Sequence, residues 1–303
     1  MSAINFTPYP APAKLNLMLK VVGKREDGYH LLQSVFCLID LCDNIYLAVR
    51  DDGRIILHNP QAGISPENDL TYRAALALQQ FSGCLKKGVD IKIDKKIPMG
   101  GGLGGGSSNA ATVLMALNRL WACGLTEQQL IDLGVKLGAD VPFFIFGKTA
   151  FAEGIGEQLT PLPIDLPHFV IIRPPVAVAT KEIFSHFVLT SSNKPIKIDG
   201  LTESIPLIND LQNIAVTRYP QIAHALAVLQ QYGKKAMMTG SGSCVFLQVK
   251  NGKQAQQIAA QIQAMHPEYG VWAVKGLADH PLKSESFSLI KLNDDTTGES
   301  SSG

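Results

Sequence analysis

The chain has 303 residues, 46% of them hydrophobic, enough to bury a substantial core, and its length favours two domains over one. Lysine and arginine number 27 against 26 aspartates and glutamates, a net charge of +1, so no broad electrostatic field draws it to nucleic acid or to an anionic membrane. No basic segment with a following apolar run opens the chain, and no apolar stretch reaches the roughly 18 residues of a membrane span, so a cytoplasmic protein is expected. The cysteines at 37, 42, 84, 123 and 244 lack Cys-x-x-Cys spacing and read as buried free thiols. The histidines are scattered without His-Glu-x-x-His, so no metal site is expected.

From Ala13 to Val22 apolar residues at odd positions alternate with Lys14, Asn16 and Lys20, which predicts a strand. Periodicity alone leaves open whether Lys14 and Asn16 simply face water. A polar loop, Gly23 to Gly28, leads through Tyr29-His30 into an apolar run from Leu31 to Leu41. A turn is expected at Asp43-Asn44, followed by short strands at Ile45–Val49 and Arg54–His58, the whole forming an antiparallel beginning. Asn68 and Asp69 can cap a helix to about Phe81, on the 3.6-residue period of Leu70, Ala74, Ala77, Leu78 and Phe81.

The alternation of Val89, Ile91 and Ile93 with Asp90, Lys92 and Asp94 predicts a strand with one buried face. Six glycines then fall within the eleven residues from Pro98 to Ser108 (Pro98-Met99-Gly100-Gly101-Gly102-Leu103-Gly104-Gly105-Gly106-Ser107-Ser108), a stretch that forgoes side-chain packing. The expected compensation is close approach of backbone to a ligand. Ser107, Ser108 and Asn109 are candidate N-caps for a helix with Ala110, Leu114, Leu117 and Trp121 on one face. Strand, glycine loop and helix start together make an anion site, most often one for phosphate. Gly100-x-Gly102-x-x-Gly105 matches the dinucleotide fingerprint, but the preceding strand carries charges, and the acid expected near Glu127 opens a helix instead of ending a strand. No Walker lysine follows the glycines.

Thr126 and Gln129 form a capping box, and Gly138 stands where a left-handed C-cap is expected. Asp140-Val141-Pro142 and an apolar run to Phe146 follow; an aspartate there is ordinarily turn or cap chemistry. Gly154-Ile155-Gly156 and prolines 161, 163 and 167 mark a boundary, giving domains at 1–163 and 164–287 and a loose tail at 288–303. The second half alternates a strand (168–173), a helix from Thr180, helices at 211–216 and 222–232, paired strands within 237–249, a helix (254–265) and a strand (271–275). Ser191–Lys194 reads as a surface loop. Thr239-Gly240-Ser241-Gly242-Ser243, between apolar strands, reads as a tight hairpin turn or as a second ligand loop.

Three stretches in order, Ala13-Lys14-Leu15-Asn16-Leu17, Pro98 to Ser108, and Thr239 to Phe246, resemble the three motifs of the GHMP kinases, the superfamily of galactokinase, homoserine kinase and mevalonate kinase. The similarity runs to about residue 285. It implies an α+β, two-domain architecture with an N-terminal ribosomal protein S5 domain 2-like half and a C-terminal ferredoxin-like α/β sandwich. Gly28-Tyr29-His30, Gly138 to Pro142 and Thr180 to Phe184 resemble the branch that phosphorylates the 2-hydroxyl of a cytidine-diphosphate-linked methylerythritol in the non-mevalonate isoprenoid route.

The resemblance implies ATP, as its magnesium complex, bound by residues 98–108 with Asn68 and Lys96, Lys95 being a further candidate. It implies Asp140 as proton acceptor beside Lys14, and Asn16, Tyr29, His30, Thr180, Phe184, Gly240 and Ser241 on the cytidine substrate, with no dedicated protein metal site. A monomer or homodimer without nucleic-acid or membrane partners is expected. Other readings are a homoserine or mevalonate type of kinase, a dinucleotide oxidoreductase, and a non-catalytic RNA-binding module, for which the balanced charge provides no basic face.

Overall fold

A computed structural model describes residues 4–61, 63–190, 193–197 and 205–284. The expected tail at 288–303 and positions 191–192 of the expected loop lie outside them.

The first half comprises β1 (Thr7–Lys24), β2 (His30–Arg50), β3 (Ile55–Leu57), α1 (Leu70–Ser82), β4 (Gly88–Asp94), α2 (Gly105–Leu120), α3 (Glu127–Leu137), α4 (Val141–Phe146), β5 (Ala150–Glu153) and β6 (Gln158–Pro161). Its sheet has the order β3-β4-β2-β5-β6, with β1 along the other edge of β2. Because β1 pairs with β2 alone among the described strands, the prolines at 8, 10 and 12 are tolerated, and the strand starts six residues before the expected Ala13.

No turn forms at Asp43-Asn44. β2 runs straight through, because the buried Asp43 carboxylate accepts the backbone N–H groups of Lys96 and Ile97 at 2.7 and 2.8 Å and pairs with Lys95. These long-range bonds override the local turn tendency of an Asp-Asn pair. The expected antiparallel beginning holds for β1 and β2, but the short strand expected at Arg54–His58, here β3, lies parallel to β4, with α1 in the crossover. On β4, Asp90 does not face water as the alternation suggests; it is buried and pairs with Arg50 and His58.

Asp69, not Asn68, caps α1, accepting from the N–H groups of Thr71 and Tyr72. α2 begins at Gly105 with Gly104 as its N-cap, so Ser107, Ser108 and Asn109 lie inside its first turns instead of capping it. Ala110, Leu114, Leu117 and Trp121 are buried as expected, but every residue from Ser108 to Leu117 is buried, making α2 a central helix without a water-facing stripe there. The Thr126–Gln129 capping box forms. Gly138 closes α3 in an extended conformation (φ 175°), not the left-handed one, because the chain turns at once into α4, with the Val141 N–H donating to the Gly138 carbonyl.

The second half comprises β7 (His168–Arg173), α5 (Thr180–Ser185), α6 (Gln212–Arg218), α7 (Pro220–Gln230), β8 (Met237–Met238), β9 (Val245–Val249), α8 (Gly252–Met265) and β10 (Gly270–Lys275). Its antiparallel sheet has the order β10-β7-β9-β8, the ferredoxin-like arrangement that the strand and helix order implies. One apolar core lies under the first sheet and one under the second. A third joins Leu15, Leu17 and Val35 to Phe169, Ile171 and Phe246, so the halves pack through strand faces of both sheets.

After β10 the chain returns to the first half. Leu282 enters its core and His280 is fully buried, its Nδ1 accepting the Leu282 N–H at 3.1 Å while Nε2 faces the Thr112 hydroxyl at 3.5 Å. Burial, with the nearby charges of Lys283 and Arg119, pushes the His280 imidazole from 6.5 down to about 3. Between those values the unfolded chain binds the proton and the folded chain does not, so this contribution to stability is complete above pH ~6.5 and declines as pH falls toward 3. Unfolding free energies from urea titrations are expected to fall with pH in that window by at most about 1.4 kcal/mol per pH unit from this group, and a His280→Gln variant is expected to lose that part of the slope.

Candidate active site

Two glycine-rich loops meet at the seam between the halves. Residues 98–104 lead from β4 into α2, and residues 239–244 link β8 to β9; the N–H groups of Ser243 and Cys244 donate to the carbonyls of Gly100 and Gly101 at 3.3 and 3.1 Å. A Cβ at Gly102 would lie 2.4 Å from the Thr239 carbonyl oxygen, and Gly102 has a φ of +74°. A Cβ at Gly104 would lie 2.8 Å from the Phe144 ring and 3.2 Å from Lys14 Cε. Part of the glycine content therefore serves loop-to-loop contact inside the protein and not ligand approach alone. The first turn of α2, Gly105 to Ser107, presents the backbone N–H groups that a helix start leaves without intrahelical acceptors.

Beneath this loop Lys14 is buried, with 3% of its surface exposed. Its ammonium donates to Asn16 Oδ1 at 2.6 Å, lies 5.1 Å from the centre of the Phe36 ring and 3.5 Å from Asp140 Oδ2. Asn16 is fixed in turn: its N–H and Oδ1 engage the Thr239 hydroxyl at 2.9 and 3.3 Å, and its Nδ2 donates to the Ser34 hydroxyl at 2.9 Å. Asp140 occupies the N-cap position of α4, yet its carboxylate makes no capping bond there; it is one-third exposed and faces Lys14. The polar face of β1 thus looks into a site and not into water.

Lys14 and Asp140 border a cavity of about 1230 Å³. Its lining includes Gln61, Ile64, Asn68, Leu70, Lys95 and Met99. It also includes Tyr29, His30, Thr180, Phe184, Gly240 and Ser241. The His30 and Phe184 rings are 5.2 Å apart at 31°, and the Thr180 and Ser241 hydroxyls are 2.8 Å apart. Burial and then the charge of Lys24 hold the His30 imidazole below its ordinary value, which favours the neutral ring, able to donate and accept.

Residues 69–148 match the GHMP kinases N terminal domain and residues 198–268 the GHMP kinases C terminal domain. A 4-diphosphocytidyl-2-C-methyl-D-erythritol kinase of Neisseria gonorrhoeae is 52% identical over 276 residues, covering 91% of this chain and 96% of that protein. The chain belongs to this kinase family. The same kinase from Ralstonia nicotianae is 51% identical over 278 residues, covering 90% of this chain and 94% of that one. A solved 4-(cytidine 5'-diphospho)-2C-methyl-D-erythritol kinase superposes with a TM-score of 0.78 at 32% identity over 89% of this chain and 99% of that one. The homoserine kinase of Cytophaga hutchinsonii, at 17% identity and a TM-score of 0.65, shares the fold.

Of the residues expected in the site of this kinase, the cavity brings together Lys14, Asn16, Tyr29, His30, Asn68, Pro98 to Ser107, Asp140, Thr180, Phe184, Gly240 and Ser241. Lys96 is not among its lining residues: it is exposed, 4.0 Å from Asp94, while its neighbour Lys95 lines the cavity. Ser108 is buried behind the lining. Sequence reasoning missed Asp43, read as a turn residue, and Asn109, read as a cap. Both Asn109 side-chain polar atoms and the Ser108 hydroxyl are buried with no hydrogen-bond partner among the described residues, and Asn109 lines the cavity. The available signal for Asn109 was an amide directly before the apolar run of α2 from Ala110; Asp43 had none, since its partners lie more than fifty positions away. Gly102→Ala is expected to destabilise the kinase by roughly 2–4 kcal/mol, through the clash and the disfavoured φ, read as a lower urea midpoint at unchanged m-value.

Proposed function

We infer that the kinase transfers the γ-phosphoryl group of ATP to the 2-hydroxyl of 4-(cytidine 5'-diphospho)-2-C-methyl-D-erythritol, in the non-mevalonate route to isoprenoid precursors. The observation that carries the reading is the buried Lys14 facing Asp140 at 3.5 Å below the glycine loop, in one cavity with the His30–Phe184 ring pair.

Phosphoryl transfer asks of a protein mainly positioning and charge stabilisation. Asp140 accepts the proton of the substrate hydroxyl as that oxygen attacks the γ-phosphorus, and the bond to the bridging oxygen of the leaving ADP breaks. The Lys14 ammonium, anchored by Asn16, offsets charge that builds on the transferring group. The Gly105 to Ser107 amides receive the ATP phosphates, and the Asn109 amide supplies a donor and an acceptor that the protein itself does not use. Tyr29 and Phe184 stack on cytosine, neutral His30 reads its hydrogen-bonding edge, and Asn16, Thr180, Gly240 and Ser241 hold the remainder of the substrate. Asn68 and Lys95 stand on the adenosine side.

Magnesium enters as the counter-ion of ATP. No cluster of three or more His, Cys, Asp or Glu side chains suited to a metal occurs among the described residues. Ser107, which lines the cavity beside the loop, would offer the ion an oxygen donor, and the ion would offset phosphate charge there. We divide the chain at 163/164, between the last strand of the first sheet and the first of the second, and place the kinase in the cytoplasm as a monomer or homodimer. No described helix is long and apolar enough to cross a membrane.

Coupled assays of ADP release with the cytidine substrate, homoserine, mevalonate and galactose are expected to show turnover with the first alone; equal turnover of another acceptor would overturn the assignment. Asp140→Ala is expected to lower turnover by about a hundredfold or more with ATP affinity retained, and near-normal turnover would remove Asp140 from the base role. Asn109→Ala is expected to raise the KM for ATP while leaving the melting temperature unchanged or higher, since the amide it deletes is unsatisfied in the free protein.

A further inference from the structure

The α5 helix has six residues, too few to hold a helical turn in water by itself. Ala179 supplies no side-chain cap, and of its residues Ile183 alone is buried. Yet α5 carries both Thr180 and Phe184 to the cavity, and Phe184 is the ring set against His30. Something outside the cavity must fix its orientation.

That outer side is engaged by the corner between α6 and α7. Glu182 Oε1 accepts from Arg218 Nε and Nη2 at 3.0 and 2.8 Å, and Glu182 Oε2 accepts from the Tyr219 hydroxyl at 2.7 Å. Arg218 Nη1 lies 3.0 Å from His186 Nε2, and His186 Nδ1 lies 2.8 Å from the Glu182 carbonyl oxygen. A guanidinium only donates, so Nε2 is the acceptor, Nδ1 carries the proton, and the ring returns to the helix backbone it started from. The Tyr219 hydroxyl first and the Arg218 guanidinium next hold the Glu182 carboxyl below its ordinary range, consistent with a closed set of bonds. Arg218 ends α6, and Tyr219 stands at the junction before Pro220, where backbone freedom is small.

We propose that Arg218, Tyr219 and His186 are positioning residues that clamp α5 through Glu182 and so set the spacing of the His30–Phe184 pair that receives the cytosine ring. None of the four lines the cavity. The inference rests on the reading of Phe184 as a cytidine contact. Ion pairs as exposed as Arg218–Glu182 contribute little one at a time, but here a two-pronged pair, a phenol and an imidazole converge on one carboxylate and one carbonyl.

The test uses the full-length kinase and measures KM for the cytidine substrate, KM for ATP, kcat, and the affinity for cytidine diphosphate by calorimetry. Arg218→Ala is expected to raise the KM for the cytidine substrate and the dissociation constant of cytidine diphosphate about five- to tenfold, and Tyr219→Phe about two- to threefold, with KM for ATP and kcat within about twofold. Combined with Phe184→Ala, Arg218→Ala is expected to add little to the loss Phe184→Ala causes by itself, because both act through one ring. If Phe184→Ala weakens the cytidine substrate but Arg218→Ala and Tyr219→Phe do not, the clamp is wrong and the cytidine reading stands. If Phe184→Ala has no effect, that reading falls and the clamp with it. Parallel loss of ATP affinity or kcat in Tyr219→Phe, or additive losses in the double variant, would likewise overturn the clamp. Should Arg218→Ala fail to fold, Tyr219→Phe, which removes one hydroxyl, decides the matter.

Discussion

An ammonium group taken out of water must be met by compensating partners, and the buried Lys14 is where the two halves of this kinase meet that requirement together. Asn16 receives it, the Phe36 ring lies against it and Asp140 faces it. Each partner is placed by a different element: Asn16 by the same strand and by Thr239 from the second half, Phe36 by the neighbouring strand β2, Asp140 by the sharp passage from α3 into α4. Gly104 has no side chain because Phe144 and the Lys14 stem already fill that space. The seam, the phosphate loop and the start of α4 are thus adjusted around one charge.

The proposed ATP loop has no Walker lysine; in the function proposed above, backbone amides at the start of α2 would supply the directional donors. The cation would come from Lys14 of β1, far from the loop in sequence. Asn109 and Ser108, polar and unsatisfied in a buried helix, are tolerated at a cost that ordinary core packing would avoid. Both stand in the first turns of α2, directly after the glycine loop.

Much of this was legible in the residues. The alternation of β1, the glycine stretch with its flanking strand and helix, the Thr126–Gln129 box and the order of elements in the second half are local patterns, and local patterns survive into the fold because hydrophobic periodicity and capping act over a few residues. Where the structure departs from these patterns, a distant partner intervenes at Asp43, while elsewhere the cause is the path of the neighbouring chain. Asp43 does not turn the chain because Lys95, Lys96 and Ile97 claim its carboxylate; Ser107 does not cap α2 because the glycine loop winds into the helix earlier; β3 runs parallel to β4 because α1 lies between them.

By itself the sequence determined the kinase superfamily, the two halves with their kinds of secondary structure, and the residue types from which a phosphoryl-transfer site can be made. Only the tertiary structure decided that the Lys14 face of β1 is buried and not solvated, that the glycines at 101 and 102 lie against the 239–244 loop while Gly104 lies against Phe144 and Lys14, and that Lys95 and not Lys96 faces the cavity. The reason is physical. Burial, charge pairing and close backbone approach depend on which surfaces meet, and those meetings join residues as far apart as Asn16 and Thr239, a separation that no local pattern encodes.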